Sequence, residues 1–313
     1  MRVAVIDLGT NTCNLLIAEM NSPDYKILHQ SKQLVKLGDD KISENEISRA
    51  ATSRVLESFQ THQRIIRNYH AEKVRVVATS AVRTAENKIE FLEQISENSG
   101  WLVRLISGEK EAEMIFEGVL LAFNEFKNPA LILDIGGGSN ELILAHHKKM
   151  VWKESQPTGM ARIINQFKIS DPIQPGEIEL LQNYYFESHK TAFEKCKTEN
   201  VKTLVGCSGA FDTIADMIDQ LNPGEKMRKT QEISILDFAQ VYEKLIKSTR
   251  EERLLMKGMD MVRVDLIVPA VVLIEHLISK IGISQIIQTD FALREGVLYE
   301  MMNHSKISSE QKV

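Results

Sequence analysis

A chain of 313 residues is long enough for two domains of ordinary size, and 43% hydrophobic with 26% charged residues is the balance of a globular protein, not of a disordered or fibrous one. A net charge of −5 supplies no overall attraction to polyanions, which weighs against nucleic acid; a phosphate-rich ligand must be drawn by local basic groups, by metal, or by both. Cys13, Cys196 and Cys207 lack metal-ligand spacing and read as reduced thiols, no apolar run nears membrane-spanning length, and no signal sequence leads the chain, so a cytoplasmic protein without membrane contact is expected.

The chain opens with Val3–Ala18, two apolar runs joined by Asp7-Leu-Gly-Thr-Asn-Thr12, which predicts a strand, a tight turn and a returning strand. A turn at Asn21–Asp24 and further strand to Leu37 come next. Ser43 and Glu46 predict a capping box before a helix over Ile47–Tyr69. Arg64, Arg67 and Lys73 near its end read as a solvated face. Val74–Ala78 predicts a short strand running into Thr79-Ser-Ala-Val-Arg83, where open α/β sheets meet their ligands. Arg83 either forks hydrogen bonds to a phosphate or pairs with Glu86 on the surface. A helix to Glu97, a strand over Trp101–Ile106 and a helix begun by Ser107-Gly108 are then expected. The first turn of that helix carries Glu109 and Glu111, where a carboxylate suits the helix N-terminus. An acid able to orient water is what hydrolysis needs beyond phosphate turns and metal.

Around Ala122–Pro129 the chain passes to a second unit. Pro129–Ala145 repeats the opening pattern, with Asp134 at the strand end and Gly136, Gly137 and Gly138 in the turn. A shift of 127 positions (134 minus 7) lays Asp7 on Asp134, Gly9 on Gly136, Thr12 on Ser139, Leu15 on Leu142 and Ala18 on Ala145. The glycines are expected to take positive φ and to present N–H groups to phosphate, and an acid beside phosphate implies a divalent cation between them. Two turns in matching register mark a duplication, one phosphate-facing hairpin in each half. A strand over Met150–Glu154, a turn at Gln156–Gly159 and one long polar helix over Pro175–Asn200 are predicted next. His146, His147, Lys148 and Lys149 read as an exposed hairpin loop. Lys202–Asp212 is a strand running into Gly206-Cys-Ser-Gly209 ahead of a helix, a third anion site at a helix N-terminus. Helices over Ile233–Lys247, Glu251–Met259 and Asp265–Lys280, a strand over Ile283–Thr289, a helix from Arg294 and a polar tail after His304 complete the chain.

Taken together, the two Asp-x-Gly hairpins and the third turn resemble the actin-like ATPase and sugar-kinase superfamily. Within it the chain resembles the exopolyphosphatase and guanosine pentaphosphate phosphohydrolase (Ppx/GppA) family. The segments that carry the likeness are Ile6–Thr12, Ala78–Arg83, Ile106–Ala112, Asp134–Glu141, Gly206–Gly209 and Leu293–Gly296, in family order across nearly the whole chain. The resemblance implies an α/β fold of duplicated actin-like (ribonuclease H-like) domains with an interdomain cleft. Domain I would span 1–124 and domain II 125–313, the C-terminal helix returning to pack on domain I. Implied too is Mg²⁺-dependent hydrolysis of the terminal phosphoanhydride of inorganic polyphosphate, releasing orthophosphate, by a homodimer whose domains close on the substrate. Guanosine pentaphosphate is the alternative substrate, and a non-hydrolytic alarmone or nucleotide sensor the alternative of another class. By motif, Glu111 would activate water, with Arg83 on the phosphate. Asp7, Asp134 and Glu141 would hold the metal. Gly9, Thr10, Asn11, Thr12, Gly136, Gly137, Gly138, Ser139, Gly206, Ser208 and Gly209 would grip the phosphate chain. The sequence departs from the family pattern at Thr10 and Thr12 (often Ser), Lys110 (commonly an acid), Asn140 (usually Thr) and Ala270 (frequently Gly).

Overall fold

The computed structural model describes residues 1–21, 24–38 and 45–310. In chain order the first elements are β1 (Arg2–Leu8), β2 (Thr12–Asn21), β3 (Asp24–Leu34), α1 (Arg49–Asn68), β4 (Lys73–Ala78), α2 (Ser80–Thr84), α3 (Lys88–Ser99), β5 (Val103–Leu105) and α4 (Gly108–Phe123). After them come β6 (Phe126–Ile135), β7 (Asn140–His147), β8 (Lys149–Gln156), α5 (Met160–Phe167), α6 (Pro175–Ser188), α7 (Lys190–Thr198), β9 (Thr203–Cys207) and α8 (Gly209–Asp219). The last are β10 (Gln231–Ile233), α9 (Ile235–Lys247), α10 (Arg250–Leu254), α11 (Ile267–Ile281), β11 (Gln285–Thr289) and α12 (Leu293–Glu310). The chain divides into two compact units: Met1–Gly118 together with the stretch from Leu293, and Val119–Ala292.

In the first unit the sheet order is β3-β2-β1-β4-β5, with β1, β2 and β3 antiparallel and β1, β4 and β5 parallel. Val3, Ala4, Val5 and Ile6 of β1 are fully buried, as a continuous apolar run must be when both faces of a central strand are covered. The covering helix α1 sends Ala51, Val55, Phe59 and Ile66 inward at helical spacing. Its cap is Ser48, whose hydroxyl accepts from Ala51 N at 3.1 Å; Ser43, where the capping box is expected, lies outside the described residues, as do Ser22 and Pro23 of the expected turn. Helix α12 packs against β1 and β2, and Gly296 makes room for it: a Cβ there would stand 1.8 Å from the Met114 carbonyl oxygen of α4.

The second sheet runs β10-β11-β9-β6-β7-β8, and apart from the added edge strand β10 it repeats the first. Strands β6, β7 and β8 form the antiparallel hairpins, while β6, β9 and β11 are parallel. The duplication read from two turns is therefore carried by the topology of whole sheets. Its core gathers around α11, where Ile267 to Ile274 are all buried and Gly282, in the left-handed region at φ +77°, ends the helix.

Several elements differ from expectation: the helix expected over Glu251–Met259 ends at Leu254, and the last helix runs on to Glu310 through the stretch expected as a polar tail. The single helix expected over Pro175–Asn200 is two, broken at His189, which turns inward and is fully buried. The polar stretch after β4 is a short helix, α2. Residues 231–233, expected in part as helix, pair antiparallel with β11, because the edge of the sheet offers them ladder partners. Among the described residues no helix is long and apolar enough to cross a membrane.

Candidate active site

Both hairpin turns are built alike. Gly9 N donates to Thr12 O at 2.9 Å and Gly136 N to Ser139 O at 3.0 Å. Gly136 does not take the positive φ expected of it, and Gly9 takes none either. Close approach is the reason at these positions: a Cβ would stand 3.2 Å from Thr12 O at Gly9 and 2.7 Å from Ser139 O at Gly136.

The carbonyls of each turn are anchored from one side. In the second turn, Gly136 O accepts from Met160 N (3.0 Å), Gly137 O from Ala161 N (2.9 Å) and Gly138 O from Arg162 Nε (3.0 Å). In a trans peptide the C=O and N–H point opposite ways, so these bonds turn the amides of Gly137, Gly138 and Ser139 to the other side. That is the geometry of an anion-binding nest. Gly159 permits it, since a Cβ there would come within 2.4 Å of the Gly138 and Ser139 backbone. In the first turn, Asn11 O accepts from Val35 N and Lys36 N, both at 3.0 Å, and Thr10 O from Gly38 N at 3.3 Å, which orients the amides of Asn11 and Thr12 in the same manner.

Parallel registry then aligns the segments that leave the strands. In the first unit Leu8 pairs with Ala78 and Ala78 with Leu105, so the first turn, α2 and α4 all leave one carboxyl-terminal edge of the sheet. Arg83, from α2, donates through Nη1 to Glu111 Oε2 at 2.9 Å and to Ile106 O at 3.1 Å. Glu111 is 7% exposed, in the first turn of α4, where Ser107 Oγ accepts from Lys110 N. Within the protein, Arg83 pairs not with Glu86 but with the other candidate catalytic residue, Glu111.

The acids occupy equivalent places. Asp7 faces Asn14 across the first hairpin and Asp134 faces Glu141 across the second. Asn14 Nδ2 donates to Asp7 Oδ2 at 3.0 Å, while Oδ1, sealed from solvent, has no hydrogen-bond partner among the described residues; Thr10 Oγ1 is in the same condition. Burial pushes the Asp7 carboxyl above its ordinary range, the Asn14 amide and the Arg294 charge oppose this, and Glu295 adds to it. A buried carboxylate with one orphaned oxygen fits a hard cation. Glu141, almost wholly buried, accepts from Ser155 Oγ at 2.6 Å. Among the described residues no three His, Cys, Asp or Glu side chains converge as a metal cage.

The third turn leaves the matching edge of the second sheet, where Asp134 pairs with Cys207 and Cys207 with Thr289. Ser208 sits at φ +90°, a costly conformation for serine, and its hydroxyl donates to Ile135 O (3.2 Å) and accepts from Ile135 N (3.1 Å). The third turn is thus laced to the strand that enters the second. Gly206 lies inside β9 against the Phe211 ring, where a Cβ would be 2.1 Å from Cδ1, so packing already requires a glycine there. Gly209 opens α8 under a guanidinium: a Cβ would meet Arg263 Nε and Nη2 at 2.4 Å. Arg263 Nε is buried without a hydrogen-bond partner among the described residues. Sequence reading missed Arg263, because nothing near it in the chain marks it and only the fold lays it on Gly209. Leu293–Gly296, quoted for resemblance alone, places Arg294 and the fully buried Glu295 where their charges act on Asp7, with Gln30 Nε2 donating to Glu295 at 3.2 Å.

Two sheets of one topology, each with an Asp-x-Gly hairpin at the carboxyl-terminal end of its first strand, define an actin-like α/β protein built from a duplicated domain. Residues 16–305 match the Ppx/GppA phosphatase family. The chain belongs to that family and is a phosphoanhydride hydrolase. It is 34% identical to a crystallised exopolyphosphatase from Cytophaga hutchinsonii, covering 97% of this chain and 98% of that one with a TM-score of 0.92. Exopolyphosphatase 2 of Mycobacterium tuberculosis is 26% identical over 95% of this chain and 97% of its own length. The Aquifex aeolicus Ppx/GppA family member shares the fold, with a TM-score of 0.81 at 23% identity over 97% and 98% of the two chains.

Proposed function

We propose that the protein is an exopolyphosphatase that removes the terminal phosphate of inorganic polyphosphate. The observation that carries the reading is the Arg83–Glu111 pair at 2.9 Å, on the same sheet edge as the first phosphate turn. Phosphate turns alone serve binding or transfer to an acceptor; a buried acid fixed by an arginine adds a group that orients water. The relatives named exopolyphosphatase, matched over nearly their full lengths, support the choice of polymer over nucleotide.

In this reading the amides of Asn11 and Thr12, and of Gly137, Gly138 and Ser139, grip phosphate oxygens. The N-terminus of α8 with Arg263 adds a further phosphate contact. Asp7, Asp134 and Glu141 are the candidate holders of a divalent cation, Mg²⁺, which would neutralise charge building on the leaving phosphate chain. Glu111 orients a water on the terminal phosphorus and takes its proton. The new P–O bond forms as the bridging P–O bond breaks, giving orthophosphate and a chain one unit shorter. Arg83 fixes the rotamer of Glu111 and offers its remaining donors to the terminal phosphate. The three free, buried thiols are in keeping with a cytoplasmic site of action.

The test is phosphate release with Mg²⁺ from polyphosphate, guanosine pentaphosphate and ATP in parallel, repeated with Glu111→Gln. Release from polyphosphate is expected to fall at least about a thousandfold in the variant while polyphosphate binding stays within a few-fold. Faster release from guanosine pentaphosphate would move the enzyme to alarmone hydrolysis. Loss of binding together with turnover would make Glu111 a structural residue.

A further inference from the structure

The second turn is held by a segment that is itself held from behind. Met160, Ala161 and Arg162 anchor the three glycine carbonyls, and Gly159 lies against the turn backbone. Immediately before them stands Thr158, 2% exposed. Its Oγ1 is 3.1 Å from Nε2 of His189, whose Nδ1 is 2.8 Å from Glu154 Oε1. Asn140, the residue after Ser139 of the turn, donates through Nδ2 to Thr158 O at 2.8 Å and to Thr158 Oγ1 at 3.0 Å. His189 and Asn140 are both fully buried.

Asn140 Nδ2 is a donor, so Thr158 Oγ1 accepts from it; in the tautomer that carries the ring proton on Nδ1, towards Glu154, His189 Nε2 is an acceptor and takes the Thr158 hydroxyl proton. A buried histidine with two partners is most often a satisfied core residue. Here the hydroxyl it fixes belongs to the clamp on the turn, and the same hydroxyl receives Asn140, the next residue after the turn. The break between α6 and α7 falls at His189 itself, so a helix is interrupted where the imidazole enters the network.

We propose that His189 is a positioning residue for the second turn, acting through Thr158 to hold Thr158–Arg162 against the carbonyls of Gly136, Gly137 and Gly138. Its kinetic consequence rests on the reading of that turn as a phosphate grip; its structural consequence does not.

Two substitutions separate the halves of the imidazole. His189→Gln places an amide where Nε2 lies and keeps a partner for Thr158, whereas His189→Asn places one where Nδ1 lies and keeps only Glu154. Thr158→Val removes the hydroxyl at constant shape, and Thr158→Ser restores it. We expect His189→Asn and Thr158→Val to raise KM for polyphosphate roughly tenfold with kcat changed less than about threefold, and to speed hydrogen exchange of the amides of residues 137–139. His189→Gln and Thr158→Ser should stay within about twofold of the parent in both readouts. Equal behaviour of His189→Gln and His189→Asn, or unchanged exchange at 137–139 in His189→Asn and Thr158→Val, would overturn the proposal. Should the parent protein release no phosphate, the substrate reading falls, and hydrogen exchange still decides the role of His189.

Discussion

His276 shows how a single side chain can be costly to leave where it is. It is 3% exposed on α11, edge-on to Phe193 and Phe186 with centroids 5.5 and 6.4 Å away, and its Nε2 has no hydrogen-bond partner among the described residues. Burial, helped by the charge of Lys280, pushes its pKa from 6.5 down to about 4. A base with a depressed folded-state pKa takes up its proton more readily when unfolded, so its contribution to stability is full above pH 6.5 and is lost as the pH falls towards 4. Urea titrations across this window should show the parent losing up to roughly 1.4 kcal/mol per pH unit relative to His276→Phe. Parallel profiles for the two proteins would mean that the ring does not titrate as its surroundings require. At the same scale the glycines divide by purpose. Gly136 and Gly159 let backbone approach backbone at the second turn, whereas Gly206 makes space for Phe211. Sequence alone does not separate them, because a glycine needed for packing and one needed for a ligand look the same in the chain.

Among the elements, α12 is the one whose place depends most on a single missing atom. Gly296 seats it against α4, and Glu300 then meets Arg104 Nη1 at 3.0 Å and Lys110 Nζ at 3.7 Å. A methyl at 296 has backbone in its way, so Gly296→Ala must lift the helix, and a loss of about 2–3 kcal/mol in urea unfolding is expected. The exposed ion pairs cannot compensate, being worth about 1 kcal/mol or less each. Lys110, a departure from the family pattern in the sequence, has its ammonium within reach of Glu113 (3.6 Å) and Glu300, so much of its charge is spent within the first unit. The hairpins were legible because their signals are local: continuous apolar runs, a short turn, a glycine where chain meets chain. The break at His189 was not, because its partners Glu154, on β8, and Thr158, in the turn after β8, are remote in the chain and the surrounding residues read as uninterrupted polar helix.

Over the whole molecule the duplication is the governing fact. Each sheet has its own buried core, and each sends its candidate residues off the carboxyl-terminal edge of parallel strands. All three cysteines are buried, and burial pushes the thiols of Cys13 and Cys196 up to about 12. Thiol-directed labelling of the native protein is therefore expected to be negligible, with three groups titrating in denaturant. Fast native labelling would show that a core opens readily.

Sequence by itself determined the two hairpins, their common register and the glycine turn before α8, since each is written in short-range spacing that any folded arrangement must respect. The pairing of Arg83 with Glu111, the guanidinium of Arg263 over Gly209, and the line from Glu154 through His189 to Thr158 were decided only by the tertiary structure. These contacts join residues far apart in the chain, and it is the order and registry of the strands, together with the packing of helices on them, that bring such groups within hydrogen-bonding distance.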